Sequence, residues 1–324
     1  MEKTREKIST ARSLIAGLDY PRTYLEFVKQ FPDDDACLHY LKKLRWPERF
    51  ICPACNAFDE PWHQTRGRLV CRTCQHQTSI TSGTIFDKTR TPLITWFEVA
   101  WLMTTSKNGF SAKSFERTMD IRYQTAWAIL QRYRIAMVRS NRERLSGTIE
   151  VDETLVGGIK HGGKRGRGTS KSVVVIAVEI QAPKGFGRIR MKHITDAAGD
   201  KLVPFVCDVV AFGSVVQTDG WSGYNALSTF EFEHQRTILS SSDDQAHVSM
   251  LGVHRVASLL KRWILGTHQG SVSAEHLQSY LEEFTFRFNR RTSFSRGLVF
   301  RRLLEQAVVM GPVTEAKITH GYDW

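Results

Sequence analysis

The chain has 324 residues, and 41% of them are hydrophobic, a composition that supports a folded core and argues against global disorder. Lysine and arginine outnumber aspartate and glutamate by 45 to 33, which gives a net charge of +12 and a pI near 9.5. This balance indicates a polyanionic partner, most often nucleic acid, although a basic protein that is merely well solvated is the alternative. No apolar run reaches the roughly 18 residues of a membrane span, and the first residues, MEKTREKIST, contain no apolar signal region. We therefore expect a cytoplasmic protein with no membrane partner.

Changes in composition divide the chain into five predicted segments. A helical segment comes first, followed by a short cysteine-bearing module, a second helical segment, a long α/β segment and a basic tail. The corresponding ranges are 1–50, 51–90, 91–146, 147–295 and 296–324.

The cysteine module contains two C-x2-C pairs separated by fifteen residues, in CPACNAFDEPWHQTRGRLVCRTC. Four thiolates at this spacing can close a tetrahedral zinc site, and a closed four-cysteine site is structural rather than catalytic. Chance clustering of buried thiols is the alternative. His63 and His76 are predicted to lie on the surface, and Cys37 and Cys207 to be small buried side chains. The predicted zinc ligands are Cys52, Cys55, Cys71 and Cys74.

Three short helices are predicted between residues 91 and 146. Thr91 is the predicted cap of the first, with Pro92 at its first position, and Ser111 begins the second. The third, near 122–138, has apolar residues at helical spacing. These helices predict either a DNA-binding helix-turn-helix unit or a plain helical packing domain, and the sequence favours neither. The residues predicted to be buried in the third helix are Tyr123, Trp127, Leu130 and Met137.

From residue 147 onward the pattern is that of an α/β fold. Strands are predicted in GTIEVDETLVGG, SVVVIAVEI, GRIRMKHI and GSVVQTDG, with a helix in AAGDKLVPFVCDVV before the last of them. Later helices are predicted in VHRVASLLKRW and SAEHLQSYLEEFTFRFNRR.

Two acids on these strands suggest a catalytic centre. Asp152 interrupts an apolar strand, so its carboxylate needs a partner, and Asp219 ends another apolar strand directly before a turn. Two carboxylates from adjacent strand ends can share one or two Mg²⁺ ions and support in-line phosphoryl transfer. An ordinary strand-end or turn residue is the alternative for each acid.

Further candidates surround these acids. The glycine-rich stretch 157–171 is either a phosphate-gripping loop or a solvated hairpin turn. Trp221 and Tyr224, just after Asp219, either stack on an unpaired base or are buried beneath the sheet. Arg290 and Arg291 either contact phosphate or form a solvated face. The cations of the loop that are predicted to contact DNA include Lys160, Lys164, Arg165 and Arg167, and Lys171 ends the stretch.

Taken together, these stretches resemble bacterial insertion-sequence DDE transposases of the group that joins a zinc ribbon to a ribonuclease-H-like integrase domain. The resemblance spans roughly residues 45–291 in the family's order. It implies a mixed sheet flanked by helices, with one acid on the first strand, a second ending the fourth strand, and a third metal ligand on a later helix. The matching stretches are RWPERFICPAC, CRTC, SGTIFDKTRTPLITWF, EVDETLVGG, QTDGWSGY, SLLKRWILGTHQG and YLEEFTFRFNRR.

The resemblance assigns the first two acids to Asp152 and Asp219 and the third ligand to His254. The family usually carries Glu there, with Lys or Arg seven residues later, and Lys261 fits that spacing. Thirty-four residues between Asp219 and His254 also fit. Neutral imidazole brings no negative charge, so Mn²⁺ should be tolerated better than Mg²⁺. The alternative is that His254 is an exposed helix residue in a decayed transposase.

The function implied is a transposase that binds its element's terminal inverted repeats, cleaves DNA strands and joins them to target DNA. Joining two ends requires a synaptic assembly, so the resemblance also implies at least a dimer on DNA, acting at the bacterial nucleoid. Two alternatives remain open: a zinc-ribbon DNA-binding protein that has lost catalysis, and a nuclease of the same fold that cleaves without joining.

Overall fold

The computed structural model describes residues 13–139, 141–157, 171–181, 183, 185–237, 250–270 and 272–320. The cationic loop residues Lys160, Lys164, Arg165 and Arg167 lie outside these ranges. In the amino-terminal half, helices share one core with a small three-stranded antiparallel sheet. The helices are α1 (Tyr24–Gln30), α2 (Asp34–Arg45), α3 (Leu93–Thr105), α4 (Ala112–Met119) and α5 (Tyr123–Ala136), and the strands are β1 (Trp62–His63), β2 (Arg68–Val70) and β3 (Gln77–Ser79).

The start of helix α3 differs from the prediction. Pro92 is the N-cap residue, and the helix begins at Leu93 without a side-chain cap from its own segment, so the prediction of Thr91 as the cap is wrong. The carboxylate of Asp34, in α2, instead accepts the Ile94 amide at 2.9 Å. A carboxylate at this end also complements the helix dipole. The helix is therefore capped by a residue distant in sequence instead of by a neighbouring side chain. By contrast, Ser111 caps α4 as predicted.

The third predicted helix is present, but its burial differs in one respect. Leu130 and Met137 are buried as predicted, and Trp127 is partly buried against the same core. Tyr123 is 42% exposed because it stands in the first turn of α5, where the helix leaves the core. Whether α3, α4 and α5 act as a DNA-binding unit stays a prediction.

The carboxyl-terminal half contains a five-stranded mixed sheet in the order β6-β5-β4-β7-β8. The first three strands in sequence are antiparallel, whereas β7 and β8 join parallel to β4. The sequence did not reveal β8, because EHQRT is polar and its strand is an exposed edge. The strands are β4 (Thr148–Val156), β5 (Ser172–Ile180), β6 (Phe186–Ile194), β7 (Val215–Asp219) and β8 (Glu233–Thr237).

Helices cover both faces of this sheet and complete the predicted α/β architecture. One face packs against α7 (Leu251–His268) and α8 (Ala274–Phe288), and the other packs against α6 (Gly199–Val209) and the 3-10 turn Ser222–Thr229. Asp152 lies on the first strand, Asp219 ends the fourth, and His254 lies on a later helix. This is the order expected of a ribonuclease-H-like core.

The segment 296–324, predicted to be a basic tail, contains two helices within the described residues. They are α9 (Arg296–Val309) and α10 (Glu315–Thr319). Phe300, Leu303 and Leu304 of α9 are fully buried in the same core as α2 and α3. The boundaries of the five segments remain a prediction. Within the described residues, no helix is long and apolar enough to cross a membrane.

Candidate active site

The four cysteines of the predicted metal module converge in the structure. The Sγ atoms of Cys52, Cys55, Cys71 and Cys74 all lie within 4.8 Å of one another. Two tight turns make this possible, because Asn56 and Gln75 adopt left-handed conformations with φ of 57° and 61°. The amide N–H groups of Cys74 and Thr73 lower the pKa of Cys71 to about 6 despite desolvation, which favours the thiolate. Four thiols in this arrangement fit a tetrahedral structural zinc ion.

The residues left out of this cluster agree with their predicted roles, with one exception. His63 and His76 are exposed and do not join the cysteines. Cys37 is fully buried, as predicted. Cys207 is only partly buried and packs at the margin of the core beneath α6.

Replacing Cys74 with Ser is expected to abolish zinc binding, because hydroxyl oxygen is a far weaker zinc ligand than thiolate. The amino-terminal core should then loosen, since Cys52 and Cys71 belong to it. Metal analysis of the purified protein measures the zinc content, and His63→Ala is the control expected to retain zinc. Full zinc in the Cys74→Ser protein would contradict the four-cysteine site.

The two strand acids lie close together, although not as two strand ends. Asp152 is in the middle of β4 and pairs with Ile176 of β5, so the prediction of a strand-end position fits Asp219 but is wrong for Asp152. The parallel pairing of β4 with β7 runs from Thr148↔Val215 to Glu150↔Gln217. Continuing that register by two residues sets Asp152 opposite Asp219, where adjacent strands are about 4.8 Å apart. Asp152 therefore lies beside the last residue of β7, the strand parallel to β4.

Helix α7 brings His254 to the same place. Asp152 and His254 line one cavity of 160 Å³, together with Thr154, Val253 and other residues of β4 and α7. Partial burial lowers the pKa of Lys261, and the charge of Lys171 lowers it further. The carboxylate of Asp152 opposes this decrease, so Lys261 and Asp152 interact electrostatically. Asp219 does not line the cavity. Among the residues that the structure describes, only the four cysteines bring three or more potential ligand atoms within 4.8 Å of one another. The side-chain ligand atoms of Asp152, Asp219 and His254 are therefore not all within that distance of one another.

Glu150 ties α7 to the strand that carries Asp152, and the sequence gave no signal for this contact. Its side chain is 6% exposed and accepts the Val253 amide at 2.8 Å, with a further hydrogen bond from the Gly252 amide. Burial raises the pKa of Glu150, and these amides and His254 oppose the increase. Side chains two residues apart on a strand share one face, so Glu150 and Asp152 both face α7.

Gly252 allows this close approach. A Cβ atom at this position would lie 2.5 Å from Cδ1 of Ile180 and 2.9 Å from Oε2 of Glu150. Any larger residue must displace the side chains of Ile180 and Glu150 or the start of α7.

Replacing Gly252 with Ala is expected to destabilise the protein by about 1–3 kcal/mol, the usual effect of overpacking. Gly266→Ala is the matched control on the same helix, because a Cβ there meets nothing within 4 Å. That control should stabilise the helix by up to about 1 kcal/mol, since Ala has the higher helix propensity. Chemical denaturation measures both, and equal stabilisation by the two variants would contradict the close contact.

The opposite face of β4 carries a second polar contact. Tyr224 is fully buried, and its hydroxyl donates to Oε2 of Glu153 at 2.8 Å. Burial raises the pKa of Tyr224 well above its ordinary value, and Glu153, Asp152 and Asp219 add to this increase. Tyr224 thus lies beneath the sheet rather than on a base. Trp221 is partly buried and donates to the Ala197 carbonyl at 2.8 Å.

The structure places Arg290 and Arg291 in contact with the protein itself. Arg290 lies over the ring of Phe286 at 3.8 Å, and burial, followed by nearby arginines, lowers its pKa to about 10. Arg291 donates to the carbonyls of Phe186 and Gly187, so it connects α8 to β6. Only the Arg291 bonds join these two elements, since Phe286 belongs to α8 itself, and a DNA role for either arginine stays a prediction.

Comparisons with known proteins match both the cysteine module and the segment that forms the large sheet. Residues 144–289 match the family described as the ISXO2-like transposase domain, and residues 32–77 match the transposase zinc-ribbon domain. The chain is 25% identical over 279 residues to an uncharacterized protein in transposable element ISH50 of Halobacterium salinarum, covering 80% of this chain and 92% of that protein. It is 27% identical over 108 residues to an uncharacterized transposase-like protein of Haemophilus influenzae, covering 33% and 86% respectively.

Proposed function

Because the chain belongs to the insertion-sequence transposases that join a zinc ribbon to a DDE transposase domain, we propose that it cleaves and joins DNA at the ends of its own element. The observation that carries the proposal is the cavity shared by Asp152 and His254, with Asp219 at the same level on the neighbouring parallel strand. We propose that these three residues bind the catalytic metal ions and that Lys261 contacts a DNA phosphate.

The donor set fits divalent cations. Two carboxylates supply the oxygen ligands that Mg²⁺ and Mn²⁺ prefer, and an imidazole shifts the preference toward Mn²⁺. Cations bound there would lower the pKa of the attacking water or 3′-hydroxyl and stabilise the leaving oxygen. The protein's part is to orient the ligands, and Glu150 does so by fixing the first turn of α7 to β4.

The DNA interface in this proposal extends beyond the metal site. The zinc ribbon and helices α3 to α5 bind the terminal inverted repeats, and Lys160, Lys164, Arg165 and Arg167 grip the backbone near Asp152. Arg290 and Arg291 are further candidates. Bringing two ends together requires at least a dimer on DNA, and the protein then acts at the cytoplasmic nucleoid. A net charge of +12 supports such a polyanionic partner.

The test uses the full chain with labelled DNA carrying the element's own ends and a target plasmid, in Mg²⁺ and in Mn²⁺. The proposal predicts cleavage at the ends and covalent joining to the target. Cleavage without joined products would indicate a nuclease. Binding without cleavage in either metal would indicate a DNA-binding protein that has lost catalysis.

A further inference from the structure

A groove of 480 Å³ lies outside the metal site in the described part of the molecule. The turn that follows α3, helices α7 and α8, and the start of α9 form its walls. No carboxylate is among the described residues that line it. Five cationic side chains line it, from Lys107, Arg262, Arg287, Arg291 and Arg296. We call this cavity the basic groove.

The positive charge of the basic groove is only partly compensated. Arg287 contacts Glu283 at 3.4 Å, but Arg134 also pairs with that carboxylate at 2.9 Å. Burial lowers the pKa of Arg287, Glu283 opposes this shift, and Arg296 adds to the decrease. Arg262 and Arg296 are exposed on the two sides of the groove. Such an excess of charge is stabilised by a bound anion, and a phosphodiester backbone supplies one at every nucleotide.

Aromatic rings accompany these cations. Trp263, Phe284 and Phe288 line the basic groove. Phe294 belongs to the turn between Arg291 and Arg296, and its side chain is fully exposed to solvent, at 107% of the reference area. A large apolar ring with no protein contact, flanked by arginines, is suited to stacking on a nucleic-acid base.

The basic groove is continuous with the catalytic helix. Arg262 follows His254 by eight residues on α7, which is about 12 Å at a rise of 1.5 Å per residue. That distance corresponds to about three to four base pairs of duplex along its axis. A DNA strand that followed α7 from the metal site would come to Arg262 within that length.

We propose that the basic groove binds the backbone of the DNA next to the cleavage site and that Phe294 stacks on one of its bases. This inference rests on the proposed function, because it places the DNA that the function requires. The exposed Arg262 and Arg296 contact phosphates, and Arg296 also donates to the Arg291 carbonyl at 3.4 Å. Arg287 and Arg291 shape the walls through their bonds to backbone carbonyls, and Arg291 is a further candidate for phosphate contact.

The test measures binding of the full chain to DNA carrying the element's ends, over a range of salt concentrations without added Mg²⁺ or Mn²⁺. Each lost phosphate contact makes the salt dependence shallower by about 0.9 in log–log slope, so Arg262→Ala with Arg296→Ala should reduce the slope by about 2. Arg302→Ala is the matched control, because Arg302 is an exposed arginine of α9 whose charge is paired with Glu305. It should leave the slope unchanged.

The second arm follows Phe294 with 2-aminopurine, a fluorescent base analogue, placed at successive positions next to the cleavage site. Stacking on Phe294 should quench the fluorescence at one position, Phe294→Ala should remove the quenching, and Phe294→Tyr should keep it. An unchanged salt slope in the double arginine variant, or identical fluorescence with Phe294→Ala, would overturn the inference while leaving the proposed function intact. Failure of the unmodified protein to bind the ends would overturn the proposed function and this inference with it.

Discussion

Replacing Asp152 with Asn is expected to slow DNA cleavage at the element ends by about a thousandfold or more, with DNA binding retained. Stabilisation of a phosphoryl-transfer transition state by metal ions is worth several kcal/mol, and each 1.36 kcal/mol corresponds to a factor of ten in rate. Asn has nearly the shape of Asp but lacks the charge that holds a divalent cation. Single-turnover cleavage of labelled ends measures the rate, and a gel-shift titration measures binding.

Asp208→Asn is the control for this prediction, because Asp208 is an exposed carboxylate on α6 and does not line the cavity that contains Asp152 and His254. It should cleave at the rate of the unmodified protein. Cleavage by the Asp152→Asn protein within tenfold of that rate would show that Asp152 is not a metal ligand.

Replacing Glu283 with Gln is expected to destabilise the protein by about 3–5 kcal/mol, the usual consequence of removing one partner of a buried ion pair. The side chains of Glu283 and Arg134 are 0% and 1% exposed, and they join α8 to α5 across the two halves of the chain. Arg134 also lies 3.9 Å above the ring of Tyr280. Without the carboxylate, its charge and that of Arg287 are left buried, and chemical denaturation measures the loss.

The control is Glu305→Gln, which removes ion pairs with Arg301 and Arg302 on α9, where the side chains are 16% to 48% exposed. Solvent-accessible pairs contribute at most about 1 kcal/mol each, so this variant should lose much less stability than Glu283→Gln. Adding Arg134→Met to Glu283→Gln should recover part of the lost stability, because an apolar side chain then replaces the unpaired charge. Equal stability of Glu283→Gln and Glu305→Gln would contradict the role of the buried pair.

Local patterns in the sequence were enough to predict most of the fold. The apolar runs predicted four of the five strands of the large sheet, and the C-x2-C spacing predicted the cysteine cluster. Edge strand β8 escaped because a polar, exposed strand leaves no apolar periodicity. The sequence also could not predict that Asp152 lies beside the last residue of β7, since this depends on the register between β4 and β7.

Contacts between distant residues explain the remaining differences. Asp34 caps α3 across 60 positions of sequence, and Glu150 accepts the Val253 amide across 103 positions. The residues next to Asp34 and Glu150 in the sequence give no indication of either contact. The basic groove is likewise formed by α7, α8 and the turn after α3, so its cations are scattered in sequence and gathered only by folding.

The role of His254 is the central claim, and metal preference tests it most directly. Cleavage of the element ends is measured in Mg²⁺ and in Mn²⁺ for the unmodified protein, for His254→Ala and for His254→Glu. If His254 is the third ligand, His254→Ala is inactive in both metals, and His254→Glu raises the ratio of Mg²⁺ to Mn²⁺ activity because its carboxylate supplies an anionic oxygen. Activity of His254→Ala equal to that of the unmodified protein, with the same metal ratio in all three proteins, would contradict it.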